Sequence, residues 1–297
     1  MSDQAFSVDL SQKPEVVPFF DEQTNTFSYL VKDPDSNACA VVDSVMEIDY
    51  ASGRLSQRGA DDIIDHIRRN QLKLEWSIET HVHADHISAA PYIQEQLGGK
   101  MGIGEHIVTV QETFGKVFNA GTDFARDGSQ FDHLFADGDQ YTIGNLVCHA
   151  LHTPGHTSVC MSHIMGDACF VGDTLFMPDG GTARADFPGG DARTLYQSIQ
   201  RLLTLPNELR LFMCHDYMPD DREVEYETTV EAERSANIHV HTGVSEEAFV
   251  AMREARDATL GMPRLILPSL QINMRAGHLP AAEDNGTVYL KLPLNLF

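Results

Sequence analysis

The run Thr80-His81-Val82-His83-Ala84-Asp85-His86 constrains this chain more than any other segment. It follows a short apolar stretch, 76–79, that reads as a strand, and precedes a stretch that reads as a helix. A lone histidine on an apolar face is usually a satisfied core residue. Three imidazoles and a carboxylate packed this closely are not core filler, because burying such groups without partners costs roughly 2–7 kcal/mol each. The fold must therefore give them a common partner, and a metal ion is the partner that imidazole and carboxylate share. In an extended segment His81 and His83 project to the same side and reach one position. Asp85 and His86 turn the corner towards a second.

Further ligand types each follow a strand-like run. His156 lies in Thr153-Pro154-Gly155-His156-Thr157, Asp173 in Gly172-Asp173-Thr174, and His215 in Cys214-His215-Asp216-Tyr217. Strand candidates fall at 27–31, 39–42, 141–143, 146–151, 169–171 and 209–214. Helix candidates fall at 61–70, 191–203, near 228–237 and at 246–259. Ser88 reads as a helix N-cap with Pro91 in the first turn, and Gly98-Gly99 as that helix's end. The stretch from Arg264 reads as irregular, with a late apolar run at 288–292. Strands then helices, twice over, predict a layered α/β sandwich. No linker or repeat divides the chain, so 1–297 reads as one domain, with about 240–297 an extension of it.

The 21 basic residues against 44 acidic ones leave a net charge of −23, and no Lys/Arg run offsets it. That argues against a nucleic-acid partner. No run approaches the roughly 20 apolar residues a membrane span needs. The start, 1–14, is polar and lacks the basic and apolar regions of a signal peptide, so a cytoplasmic protein is expected. The five cysteines include no C-x-x-C pair and read as buried apolar residues. Glycine-rich 98–104 lacks the Lys-Ser/Thr of a phosphate loop.

The H-x-H-x-D-H run followed by P-G-H, G-D and a late H-D resembles the metallo-β-lactamase superfamily over residues 25–217. The resemblance implies an α/β fold, the αββα sandwich, with two adjacent metal positions: His81, His83 and His156 at one, Asp85, His86 and His215 at the other, and Asp173 between. Asp173 at that place argues against antibiotic hydrolysis. Gly181-Thr182-Ala183-Arg184-Ala185-Asp186-Phe187, then Pro188-Gly189-Gly190, the segment 267–273 and Gly277-His278-Leu279-Pro280 resemble the persulfide dioxygenase branch. That branch implies one Fe(II) per chain held by His81, His156 and Asp173, with open positions for ligands. His83, Asp85, His86 and His215 would be a polar surround. Tyr217 would donate a hydrogen bond near the iron, Arg184 would meet the substrate and Asp186 would orient Arg184, although a purely structural Arg184–Asp186 pair is the other reading. The implied reaction oxidises glutathione persulfide with O2 to sulfite and glutathione, in sulfide detoxification. The alternative is a dinuclear zinc thioester hydrolase of the glyoxalase II type. It ranks second here because such enzymes carry a basic C-terminal module for glutathione, and the sequence after His241 reads as acidic. A non-catalytic scaffold would have lost ligands, and none is lost. Superfamily relatives are often dimers, which points to a homodimer.

Overall fold

The computed structural model describes residues 8–296, so the first half of the polar start lies outside the described residues. The chain runs β1 (Glu15–Asp21), β2 (Thr26–Lys32), β3 (Ala38–Val42), β4 (Val45–Asp49), β5 (Arg54–Ser56), α1 (Arg58–Arg69), β6 (Lys73–Ile78), β7 (Ile87–Ser88), α2 (Ala90–Leu97), β8 (Lys100–Gly104), α3 (Ile107–Val117) and β9 (His133–Phe135). It continues with β10 (Gln140–Ile143), β11 (Leu146–His152), β12 (Met161–Met165), β13 (Ala168–Phe170), α4 (Ala192–Leu202), β14 (Arg210–Phe212), β15 (Glu227–Thr229), α5 (Val230–Ala236), α6 (Glu246–Asp257) and α7 (Ile266–Asn273).

Two six-stranded sheets result, one ordered β1-β2-β3-β6-β8-β9 and the other β10 to β15 in sequence order. They face each other across a core that includes Phe27, Tyr29, Trp76, Phe135, Tyr141, Phe170 and Phe212. The outer faces are covered by helices. Ile63, Ile64 and Ile67 of α1 pack with Cys39, Val41 and Leu74, and Leu195, Ile199 and Leu202 of α4 pack with Val171, Leu209 and Leu211. The layers are therefore helix, sheet, sheet, helix. A strand buried on both faces carries near-continuous apolar residues, which is why β2 and β3 are uniformly buried up to the last residue of β2.

Several boundaries differ from those read in the sequence. The helix near 228–237 starts later, because Glu227–Thr229 pairs with β14 and the Thr229 side chain then caps α5 by accepting from Ala232 N. The stretch from Arg264 is not irregular throughout, since α7 occupies Ile266–Asn273 and is almost wholly buried. The run 288–292 forms neither helix nor strand and its side chains are exposed. Ser88 belongs to β7 rather than being the cap itself, although its Oγ accepts from Ala90 N. All five cysteines are free and buried.

Candidate metal centre

The two sheets are joined at one edge by a bridge between Thr26 and His215 and by the Phe27 N–H donating to the Cys214 carbonyl. At this edge β6, β11, β13 and β14 give way to the loops carrying His81–His86, His156, Asp173 and His215. Strands ending at one edge of a sandwich release side chains that can converge, and seven ligand-type side chains do so here.

They fall into three groups, the third with Cys214 added, within each of which the candidate ligand atoms lie within 4.8 Å of one another: His81, His156 and Asp173; His83, Asp85 and His86; and Asp173, Cys214 and His215. Asp173 joins the first and third. Its Oδ2 lies 3.5 Å from His156 Nε2 and 3.8 Å from His81 Nε2, while its Oδ1 lies 3.3 Å from His215 Nε2. His215 Nε2 is also 3.1 Å from Asp85 Oδ2. Ligand atoms on one ion at bond lengths of about 2.1 Å are separated by roughly 3–3.5 Å, so these spacings suit coordination.

The outer nitrogens of the rings support the same reading. His156 Nδ1 lies 2.7 Å from the Arg184 carbonyl, His81 Nδ1 lies 3.0 Å from Thr80 Oγ1, and His215 Nδ1 lies 3.2 Å from the Asn25 carbonyl. A carbonyl only accepts, so His156 and His215 each carry a proton on Nδ1 and turn their Nε2 atoms inward. Thr80 Oγ1 donates to Asp43 Oδ2, which leaves it to accept from His81. His83 is turned the other way: its Nε2 bonds Asp43 Oδ1 at 3.0 Å and faces Glu79 Oε2 at 3.3 Å. Burial alone would push the His83 imidazole down, but these carboxylates carry it well above its ordinary range. Buried His83 Nδ1, His86 Nε2, His215 Nε2 and Asp173 Oδ1 have no hydrogen-bond partner among the described residues. Buried polar atoms are almost always paired. Four orphans turned towards one another, each ring held from behind, fit a metal-binding centre in which the outer partners fix the tautomers. Asp43 and Glu79 were not read in the sequence as part of the site. Their signal was position, since Glu79 follows β6, whose end carries the centre, and Asp43 follows β3, which pairs with β6.

Beside the centre opens a cavity of about 420 Å³, lined by Asp85, His156 and Asp173 at its floor, by Phe176, Phe187 and Tyr217, and by Arg184, Arg253, Arg256 and Arg264. Arg184 lines the cavity, and each of its three nitrogens already donates to a protein acceptor. Its Nε and Nη2 donate to both oxygens of Asp186 at 2.6 and 2.7 Å, and its Nη1 donates to the Gly261 carbonyl. This is the structural Arg–Asp pair weighed in the sequence. Tyr217 is 54% exposed and stacks its ring on His215, with Phe176 at its edge; its hydroxyl makes no hydrogen bond among the described residues. Arg256 and Arg264 are exposed, and among the described residues no side-chain hydrogen bond or ion pair engages them. Three arginines from the stretch that reads as acidic thus gather at one cavity wall. The i, i+3 spacing of Arg253 and Arg256 on α6 was the sequence signal for them.

Two histidines outside the centre are structural. His163 Nδ1 bonds the Tyr141 hydroxyl. His239 Nδ1 accepts from Thr182 N at 3.0 Å, which requires a neutral ring, and burial, with Arg253 and Arg256 nearby, pushes it down to about 4. A histidine held below its unfolded value near 6.5 contributes stability that is present above that value and lost as pH falls towards the folded one. We expect unfolding free energy to drop between pH 6.5 and 4, by at most roughly 1.4 kcal/mol per pH unit from this group. His239→Gln, which keeps an acceptor that does not titrate, should flatten urea midpoints across that window relative to wild type. An unchanged slope would contradict this assignment.

A layered αββα sandwich with imidazoles and carboxylates converging at one edge defines a class of metal-dependent enzymes. The metallo-beta-lactamase superfamily model matches residues 22–215, and the chain belongs to that superfamily. It is similar to the "Probable metallo-hydrolase" of Burkholderia pseudomallei, 54% identical over 93% of this chain and 98% of that protein. It is also similar to "Glyoxylase B2" of Dictyostelium discoideum, 45% identical over 96% and 99%. Human mitochondrial persulfide dioxygenase ETHE1 is 28% identical over 87% of each chain. The crystal structure of ETHE1 from Myxococcus xanthus superposes with a TM-score of 0.71 at 28% identity, over 89% of this chain and 100% of that one. No helix among the described residues is long and apolar enough to cross a membrane.

Proposed function

We propose that the chain is a dinuclear metallohydrolase acting on thioesters whose thiol half is anionic, as in glutathione thioesters. The observation that carries this is the Asp173 carboxylate, which turns one oxygen to His81 and His156 and the other to His215. A carboxylate shared in this way is suited to hold two ions side by side. His81, His83 and His156 would take one ion and Asp85, His86 and His215 the other. When bound, the pair would supply a water acidic enough to be hydroxide near neutral pH and a Lewis acid for the acyl oxygen. The chain's own residues do the rest. Arg184 O, Thr80 Oγ1 and Asn25 O fix which ring nitrogens face inward, and Phe176 and Phe187 give the acyl chain an apolar wall. Arg256 and Arg264 offer unengaged guanidinium groups to carboxylates of the thiol half. Water adds across the C–S bond, giving a carboxylate, a thiol and a proton. The relatives named metallo-hydrolase and Glyoxylase B2, at 54% and 45% identity, support this reading better than ETHE1 at 28% supports the one favoured by the sequence.

The second reading is the iron-dependent persulfide dioxygenase, with glutathione persulfide and O2 as substrates. Its support is the separate group of His81, His156 and Asp173, a two-histidine, one-carboxylate set, together with the likeness to ETHE1. The deciding experiment supplies purified protein with a glutathione thioester and, separately, glutathione persulfide in an oxygen electrode. Thioester turnover without oxygen uptake is the expected result; oxygen uptake on persulfide without thioester turnover would overturn the hydrolase.

In either reading the substrate is anionic. Replacing both Arg256 and Arg264 by serine should raise KM about 10- to 100-fold, the worth of one or two charge-assisted hydrogen bonds, and leave kcat nearly unchanged. Steady-state kinetics would show an unchanged KM if these guanidiniums do not meet substrate.

A further inference from the structure

We infer that the buried Arg253–Asp257 pair of α6 is a positioning device for the metal centre, acting through the backbone of residues 182–185. It rests on the metal centre itself and not on the choice of reaction.

Arg253 is 1% exposed and among the largest fully buried side chains of the protein. Its Nε and Nη2 both donate to Asp257 Oδ1, at 2.9 and 2.6 Å. Its Nη1 donates to the Thr182 carbonyl at 3.0 Å, and the other oxygen of Asp257, Oδ2, accepts from Ala185 N at 2.9 Å. The pair therefore grips one short strap at two points, three residues apart, using a carbonyl at one and an N–H at the other. Between those points stands Arg184, whose carbonyl accepts the His156 Nδ1 proton at 2.7 Å. The route is continuous: α6 holds Arg253 and Asp257, they hold the strap, and the strap holds the tautomer and tilt of His156.

A surface pair would do little of this, because exposed ion pairs contribute roughly 0–1 kcal/mol and hold no fixed geometry. A buried pair is retained at a desolvation cost, and hydrophobic replacements of similar volume are often as stable. Stability alone therefore does not account for its presence. The strap has no regular secondary structure, so its backbone groups depend on such partners. Arg184 adds a further tie by bonding Asp186 and the Gly261 carbonyl just beyond α6.

The test uses the double variant Arg253→Met with Asp257→Leu, which removes both charges and leaves no uncompensated one. Metal-free full-length protein is titrated with Co(II) alone and followed by its visible absorption, and the urea midpoint of the same metal-free protein is measured alongside. Loss of a partner behind a ligand typically weakens metal about 10- to 100-fold, and we expect a loss in that range with an altered Co(II) spectrum. Arg210→Met with Asp167→Leu is the control, since that pair, 2.6 Å apart, joins β14 to the turn before β13. Wild-type Co(II) affinity in the Arg253/Asp257 variant would overturn the inference, as would an equal loss in the control. If the double variant does not fold, Arg253→Lys is titrated instead. It keeps the charge facing Asp257 but lacks the planar fork that bonds Asp257 twice and Thr182 once, so weaker Co(II) binding supports the inference and unchanged binding overturns it.

Discussion

Asp173→Ala should leave a folded protein with no metal at either position. Among the described residues Asp173 is the side chain that faces both ligand groups, through Oδ2 towards His81 and His156 and Oδ1 towards His215. Without it no carboxylate remains beside His81 and His156, since Asp85 faces His86 and His215 and Asp43 and Glu79 face His83, so divalent charge at the His81–His156 position goes uncompensated. Loss of the metal-bound water raises the pKa of the nucleophile from near 7 towards that of bulk water, so activity should fall by at least about 10⁴-fold. Metal content by elemental analysis and turnover measured on one preparation check this. Stoichiometric metal in the variant would show that Asp173 is not a shared ligand. Asp173→Asn, which keeps the shape and removes the charge, should lose metal as well.

Gly155→Ala should be the most damaging single-methyl addition near the site. Gly155 sits at φ +139°, and a Cβ there would lie 2.2 Å from Leu195 Cα and 2.3 Å from Leu195 N, which are backbone atoms of α4. No side chain can rotate away to relieve that contact. The turn is also tied to α4 and its cap, with Asp191 N donating to the Gly155 carbonyl at 2.9 Å and Ser198 Oγ to the Pro154 carbonyl at 2.6 Å. Either α4 shifts outward or the turn moves, and His156 moves with it. A destabilisation of about 3 kcal/mol or more is expected from overpacking and backbone strain together, with weaker metal binding. Urea midpoints of metal-free protein, read with Co(II) titration, would detect both. A wild-type midpoint would mean that the helix and turn are far more yielding than described.

The metal centre was legible in the sequence because its ligands are dense in residues 81–86 and because His156, Asp173 and His215 each stand just past an apolar run. β2, β3 and the hairpin β10–β11 were legible for a related reason: buried strands leave apolar runs that turn residues punctuate. α7 was not. It is apolar on nearly every side and so has no amphipathic period, and Pro268 within it suggests a break, although in a first turn proline is tolerated. α3 carries Val108, Thr109, Val110 and Val117, residues of modest helix propensity, and is held by burial of Ile107, Val110 and Phe114. β1 contains Pro18, which argues against a central strand, and β1 is in fact an edge strand. Arg184 reads in the sequence equally as the substrate cation and as the structural partner of Asp186. Only the three-dimensional arrangement shows each of its nitrogens already bonded to Asp186 or Gly261, while Arg256 and Arg264, scattered among acidic residues, line the cavity without such bonds among the described residues.

Elemental analysis of the protein purified without added metal tests the central claim most directly. A centre bridged by Asp173 predicts about two metal ions per chain, as in other two-metal hydrolytic sites. A single iron per chain, with the Asp85–His86–His215 position empty, would contradict it and return the protein to oxygen chemistry.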